Sequence, residues 1–214
     1  GTLTAEAFTV GSAANYNATL TCTGNATALA GNSLTVSAAD TAIVCTYSNT
    51  RLQSTLRLAK AWGANSIAGN VASIGATTGL TNNTALFTST ASTNTNGAFV
   101  TVFAGETATL PAETMTTGSL ANYTTALACD NGVTPSGANG QASNTVTIAA
   151  ANAGQAITCT YTNTRRSATL TLRKSWTNAI VNNAVNLPAT TGFTNNTALF
   201  NSVANTTTET DTGV

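Results

Sequence analysis

Chemistry needs side chains that move protons, attack carbon or hold ions, and this sequence is short of all three. Its 214 residues include seven Lys or Arg, seven Asp or Glu, and no His. Without His, the commonest general base and the commonest neutral metal ligand are missing. No Ser-His-Asp set, Cys-His pair, carboxylate dyad or phosphate-binding Gly loop can be assembled. Two groups of residues remain. The first is four cysteines: Cys22, Cys45, Cys129 and Cys159. With no C-x-x-C, no His and no acidic cluster, metal binding is a poor use for them, and Cys22–Cys45 and Cys129–Cys159 disulfides are the expectation. Disulfides imply an oxidising, extracytoplasmic compartment. The second group is two lysines. Leu56, Leu58, Lys60 and Trp62 share one parity, as do Leu170, Leu172, Lys174 and Trp176. On a strand each set lies on one face, and that face is apolar, so the lysines point into the core. Ile157, Cys159, Tyr161 and Asn163 also share parity. With Cys159 in a buried disulfide, Asn163 faces inward too. A buried Lys without a partner is costly, so Lys60 requires an explanation.

The elements that must position these residues are strands. Thr145–Ala149, Ala156–Asn163, Ser33–Ser37, Ala98–Phe103 and Thr169–Leu172 alternate with period two and are rich in β-branched residues. Gly and Asn cluster between them. No segment has a sustained 3.6 period with caps. The expected fold class is all-β, as tandem Ig-like or transthyretin-like sandwiches.

The strands recur. Cys45-Thr-Tyr-Ser-Asn-Thr-Arg51 returns as Cys159-Thr-Tyr-Thr-Asn-Thr-Arg165, and Leu56-Arg-Leu-Ala-Lys-Ala-Trp62 as Leu170-Thr-Leu-Arg-Lys-Ser-Trp176. Thr77–Phe87 returns as Thr190–Phe200, Thr2–Glu6 as Thr109–Glu113, and Gly11–Tyr16 as Gly118–Tyr123. The offset is 107 up to the first Cys of each pair and 113 to 114 afterwards. The difference is a longer loop between Cys129 and Cys159. The repeat therefore divides the chain into residues 1–51, the back part of a unit; residues 52–166, a complete unit; and residues 167–214, the front part of another. A start at Gly1, with no signal peptide in view, fits a mature or excised piece. Pieces 167–214 and 1–51 are nearly complementary, so a neighbouring chain, or residues outside this sequence, would complete them.

Composition narrows the function classes. Charged residues are 7% of the chain, against about 25% in an ordinary domain. Thr (47) and Asn (25) fill much of the space. Zero net charge gives no footprint for nucleic acid or anionic membrane. No apolar run approaches a spanning helix.

The motifs Leu-x-Leu-x-Lys-x-Trp, Thr-Leu-x-Ala-Glu followed ten residues later by Tyr, and a closing Cys-Thr-Tyr-Thr-Asn-Thr resemble those of the prealbumin-like (CNA-B/SpaA-type) β-sandwich of bacterial surface proteins. The resemblance implies an amide cross-link between a Lys on the first strand and an Asn on the last, promoted by a Glu. Here those are Lys60, Glu113 and Asn163, and, from the partial units, Lys174, Glu6 and Asn49. Glu113 has opposite parity to Leu110, so a bulge at Pro111 has to turn it inward. The alternatives are a Lys60–Glu113 ion pair, or a Lys that snorkels to the sheet edge.

Other residues have plain readings. Sequons at Asn17, Asn25, Asn82, Asn122, Asn195 and Asn205 follow from an Asn- and Thr-rich composition, with glycosylation left open. Arg51, Arg165 and Arg166 read as solvated inter-domain links. Trp62 and Trp176 read as core, and Tyr16 and Tyr123 as side chains that bond backbone at a sandwich corner. The expected function is structural: a repeat module of a bacterial extracellular surface fibre or adhesin stalk, joined end to end to copies of itself. It carries no cofactor and no turnover chemistry. The alternative is an adhesive domain for a host glycan or protein, with loop Asn131–Asn144 as its candidate surface.

Overall fold

The structure, a computed structural model, describes residues 1–213. It is all-β, and its contacts divide the chain into two units, Gly1–Arg166 and Ser167–Val214. The first unit opens with a hairpin. β1 (Tyr16–Thr23) pairs antiparallel with β2 (Val44–Arg51), and Cys22 stands directly opposite Cys45. The complete repeat follows. Its strands are β3 (Gln53–Trp62), β4 (Val71–Ile74), β5 (Phe87–Thr90), β6 (Thr95–Asn96), β7 (Val100–Phe103), β8 (Thr107–Leu110), β9 (Thr114–Thr117), β10 (Tyr123–Cys129), β11 (Asn144–Thr147) and β12 (Ala156–Arg165).

One sheet has the order β10-β12-β3-β6, with β7 pairing the first half of β3. The other strands form β5-β4-β9 and the pair β11-β8. β3 and β12, the first and last strands of the repeat, run parallel, from Ala156↔Thr55 to Asn163↔Trp62. Leu56 and Leu58 of β3, Ile157, Cys159 and Tyr161 of β12, Val102 of β7 and Leu127 of β10 meet Ile74 of β4, Leu110 of β8 and Val146 of β11 in one core. The alternation on β12 explains the abundance of Thr. Ile157, Cys159, Tyr161 and Asn163 are buried, while the threonines between them lie half-buried on the opposite face. That division is what β-branched polar residues suit. Burying each large side chain contributes about 1.5–3 kcal/mol. The Cys129–Cys159 disulfide crosses between β10 and β12, and Cys22–Cys45 makes the same link in the hairpin.

The second unit holds β13 (Arg173–Thr177) antiparallel to β16 (Thr208–Thr212), and β14 (Ala184–Leu187) antiparallel to β15 (Phe200–Val203). Its local contacts repeat those of the complete unit. Trp176 Nε1 donates to Ser202 Oγ at 2.7 Å, as Trp62 Nε1 does to Ser89 Oγ at 3.0 Å.

Three local expectations are corrected. Ser33–Ser37 is not a strand and makes only isolated bridges at Ser33. Its counterpart β11 is held by a four-residue ladder to β8, and alternation without such a ladder does not make a strand. Thr169–Leu172 lies outside β13, which begins at Arg173, where pairing to β16 begins. Of the arginines expected as solvated links, Arg165 and Arg166 are exposed, but Arg51 is half-buried, and both Arg51 and Arg166 dock on backbone carbonyls. Arg51 donates to Ala104 O from Nε (3.0 Å) and Nη2 (2.8 Å) and meets Glu106 at 3.6 Å, while Arg166 Nε donates to Tyr123 O at 3.0 Å. A guanidinium carries donors in a fixed fork, so it docks onto carbonyls that a flexible link would leave to water.

Candidate cross-linking site

Strand geometry brings Lys60 and Asn163 together. Lys60 stands opposite Tyr161 in the parallel β3·β12 pair, and Asn163 is the next residue along on the same face of β12. Both are buried. β3 has a strand on each side, with Lys60 also in register with Thr95 of β6, so its side chain has no open edge to snorkel to.

Glu113 arrives differently from the expected bulge. The chain leaves β8, which pairs β11, and re-enters as β9, which pairs β4. Pro111, Ala112 and Glu113 form the step between these strands and belong to neither. Strand parity is not transmitted through such a step, and Glu113 turns into the core at 2% exposure. Its N–H donates to Gly140 O at 2.7 Å. Gly140 belongs to the long loop that distinguishes this unit from residues 1–51. A Cβ at Gly140 would meet the Tyr161 ring at 3.2 Å and Ala126 O at 3.3 Å, so a larger residue there requires these neighbours to give by a few tenths of an ångström. Ala138 O in the same loop accepts from Leu127 N at 2.7 Å. The Asn131–Asn144 segment is thus in good part a cap on the core, which the sequence reading missed. The unequal spacing within the two Cys pairs was the available signal.

Two donors converge on one oxygen. Lys60 Nζ lies 3.3 Å from Glu113 Oε1, and Asn163 Nδ2 donates to the same Oε1 at 2.7 Å. Lys60 Nζ also donates to Ala61 O at 3.0 Å and Tyr161 O at 3.3 Å, and lies 4.6 Å from the Trp62 ring centroid. Glu113 Oε2 and Asn163 Oδ1 are buried without a hydrogen-bond donor. Burial pulls the Lys60 amine down to about 8, although the charge of Glu113 and its hydrogen bond oppose the shift. Burial raises Glu113, against Lys60 and Asn163. Both shifts run toward the uncharged forms, an amine and an acid. Burial, with a contribution from Glu113, also raises Tyr161, whose hydroxyl donates to Pro111 O at 2.7 Å.

The partial units do not assemble this arrangement. Glu6 is exposed, and Asn49 is an exposed ladder residue opposite Ala18. Lys174 Nζ donates to Ser175 O at 2.8 Å and lies 4.3 Å from the Trp176 ring centroid, with Asp211 in register across the β13·β16 pair. Among the described residues no group of His, Cys, Asp and Glu could hold a metal.

A second buried acid was not singled out from the sequence. Glu106 accepts from Phe103 N at 3.0 Å, from Thr81 N at 3.2 Å and from Thr81 Oγ1, and faces Arg51. Burial pushes its carboxyl up, but these hydrogen bonds and the arginine together hold it below the usual range. It pins the β7–β8 turn, against which the hairpin of residues 1–51 packs. A Cβ on Gly105 in that turn would meet Asn15 Nδ2 at 2.5 Å. The corner tyrosine is also in place: buried Tyr123 accepts from Ile67 N and Asn70 Nδ2, both at 2.9 Å.

No curated protein matches the chain. A bacterial adhesin from Mobiluncus mulieris containing intramolecular disulfide, isopeptide and ester bond cross-links is similar at 15% identity, over 61% of this chain and 46% of that one, with a TM-score of 0.37. The major pilin of Streptococcus pyogenes is similar at 14% identity, over 59% of this chain and 56% of that one, with a TM-score of 0.27. The chain spans about half the length of these solved relatives. A family model for the prealbumin-like fold domain matches residues 52–165. This match covers more than half of the sequence, and the chain belongs to the prealbumin-like fold domain family.

Proposed function

We propose that this chain is a structural repeat module of a bacterial extracellular surface fibre or adhesin stalk. In this reading it assembles with copies of itself and is stapled by its disulfides and by an amide bond from Lys60 to Asn163. The observation that carries the reading is the burial of an amine, a carboxyl and a carboxamide around one oxygen, Glu113 Oε1. A simple ion pair explains only part of it. It leaves Glu113 Oε2 and Asn163 Oδ1 orphaned, each at a cost of about 1–3 kcal/mol. A proton on Glu113 turns one of these acceptors into a donor for the other.

The chemistry follows from that proton. Lys60, depressed to about 8, attacks Asn163 Cγ as a neutral amine. Protonated Glu113 polarises the carboxamide by hydrogen bonding to Oδ1. The Nζ–Cγ bond forms, the Cγ–Nδ2 bond breaks, and a proton from the amine passes through Glu113 to the departing nitrogen, which leaves as ammonia. The reaction happens once per molecule. Bond formation tethers the first strand of the repeat to the last, so tension along a fibre is carried by a covalent link rather than by the hydrogen bonds between β3 and β12. A low-charge, Thr-rich surface fits an extracellular setting, as do the two disulfides.

Intact mass of the non-reduced, denatured protein tests the reading. The expected mass is one ammonia below that of the disulfide-bonded chain, with a branched proteolytic peptide joining Lys60 to Asn163. A mass explained by the two disulfides alone overturns the cross-link and leaves an ion pair.

A further inference from the structure

The Cys129–Cys159 disulfide stands at the base of the loop that covers Glu113. Cys129 ends β10 and lies directly opposite Cys159 of β12, as the last pair of that ladder. The two are 30 residues apart in the chain, and the loop between them returns to the site. Ala138 O accepts from Leu127 N at 2.7 Å, two residues before Cys129, and Gly140 O accepts from Glu113 N at 2.7 Å. Between these contacts, Asn139 Oδ1 accepts from Thr125 Oγ1 of β10 at 2.8 Å. Gly140 sits against both strands that the disulfide joins. A Cβ there would meet the Tyr161 ring on β12 and Ala126 O on β10, and would stand 3.7 Å from Glu113 Oε2. Further along, the loop is held by β11, whose Asn144 pairs Leu110 just before the Pro111 step.

The end of the β10·β12 ladder therefore decides how the loop seats, and the seating decides how dry Glu113 is. With the loop seated, Glu113 is 2% exposed, and burial is the cause of its raised carboxyl. With the loop lifted, water reaches the carboxyl and the charged pair with Lys60 becomes the favoured form. The neutral amine and the acid are then scarce together. Ends of strand pairs open locally more readily than their middles, and a covalent clamp at the last pair opposes that opening. Asn163 lies four residues beyond Cys159 on the same face of β12, so the clamp also fixes the strand that carries the carboxamide.

We propose that the Cys129–Cys159 disulfide is a redox switch on the cross-linking site: the Lys60–Asn163 bond forms after this pair is oxidised, and forms slowly while the two thiols are free. This rests on the cross-link reading above and adds its regulation. Oxidation joins the two sulfurs, and the two electrons and two protons pass to a small-molecule disulfide such as oxidised glutathione, which leaves as two thiols. The amide step follows with loss of ammonia and needs no further reagent. A chain held in a reducing compartment keeps its lysine free, and one that reaches an oxidising compartment becomes cross-linked. Cys22–Cys45 clasps β1 to β2 and closes a different loop, so its oxidation should leave the site unchanged.

Intact mass tests the proposal on the full 214-residue chain, made by cell-free translation in dithiothreitol and then moved to oxidised glutathione. In glutathione, the loss of two hydrogens per disulfide should precede the loss of one ammonia. In dithiothreitol, the ammonia loss should be slower by about tenfold, a modest share of what closing a loop of this size gives in the chain-entropy account. Cys22→Ala with Cys45→Ala should keep this response, and Cys129→Ala with Cys159→Ala should be slow in both conditions. The slow reaction should also have its acid limb at lower pH, because water on an uncovered Glu113 removes the cause of its raised range. Circular dichroism verifies folding of each chain. If the reduced chain or the Cys129, Cys159 variant unfolds, Gly140→Val displaces the loop while keeping both disulfides. Its ammonia loss in glutathione should then show the same slowing and the same shift, and an unchanged rate overturns the proposal. Equal wild-type rates in the two conditions also overturn it, as does a Cys22, Cys45 variant that loses the response. So does a slow reaction with an unshifted acid limb, which marks a merely structural effect. A wild type that never loses ammonia overturns the cross-link reading itself, and the switch with it.

Discussion

Glu113→Gln is the most informative single change, because it keeps the side-chain volume while removing the charge and the proton shuttle. Two losses follow. The first is the cross-link. Lys60 and Asn163 enclose a loop of about 100 residues, shortened to about 75 by the Cys129–Cys159 disulfide within it. In the chain-entropy account, closing such a loop stabilises by about 4.5 kcal/mol. The second is the partner of Lys60. Removing one member of a buried pair costs about 3–5 kcal/mol, limited here because an amine already at about 8 can shed its proton. Together the variant should lose about 8 kcal/mol, or about 15–30 °C in melting temperature for a unit of this size. Lys60→Met separates the two losses. It abolishes the bond but leaves no stranded cation, so it should lose only the loop-closure part, about 10–18 °C. Calorimetry under non-reducing conditions, paired with intact mass, measures both. The reasoning fails if Glu113→Gln retains the ammonia deficit, or if it melts within a few degrees of the wild type while carrying full mass.

Other outcomes follow from the same geometry. The rate of bond formation on refolding should be bell-shaped in pH, because the reactive amine-plus-acid form and the ion pair share one proton between two coupled groups. Above about 8, where Lys60 loses its proton beside ionised Glu113, the rate should fall, and below the raised Glu113 range it should fall again; a rate that climbs steadily into alkali excludes a role for the acid. Tyr123→Phe should lower stability by about 1–3 kcal/mol, since Ile67 N–H and Asn70 Nδ2 lose a buried acceptor; urea midpoints at constant slope read this out. Glu106 has a folded pKa below its unfolded value, so its stabilisation is present above the ordinary carboxylate range and is lost as pH falls through the folded value. Glu106→Gln should therefore flatten the acid limb of melting temperature against pH, and an unchanged limb would show that the turn does not depend on the charge.

The two lysines carry the same sequence signature, Leu-x-Leu-x-Lys-x-Trp, yet only one is buried against a carboxylate. Parity along a strand needs no knowledge of neighbours, so the inward face of Lys60 and Asn163 was legible before any fold was known. The alternation of the β-branched runs likewise yielded the all-β class, and the repeat placed one Cys pair in each unit. Partners were not legible in this way. Lys174 lies half-exposed because the counterpart of β12 does not pair with β13 in its unit, and Ser33–Ser37 failed to become a strand for the same reason. Glu113 was assigned only through family resemblance, and its own strand pattern pointed it outward; the break at Pro111–Glu113, where the chain passes from β8 to β9, is a tertiary decision. Gly140 closing over the carboxyl, Arg51 docking on Ala104, and Glu106 tied to Thr81 are contacts between segments distant in sequence, which no local period encodes. Sequence alone determined which faces of the strands turn inward, because that depends on alternation along one chain. The tertiary structure decided which buried groups meet, because meeting depends on strand order, parallel register and the loop that covers the site.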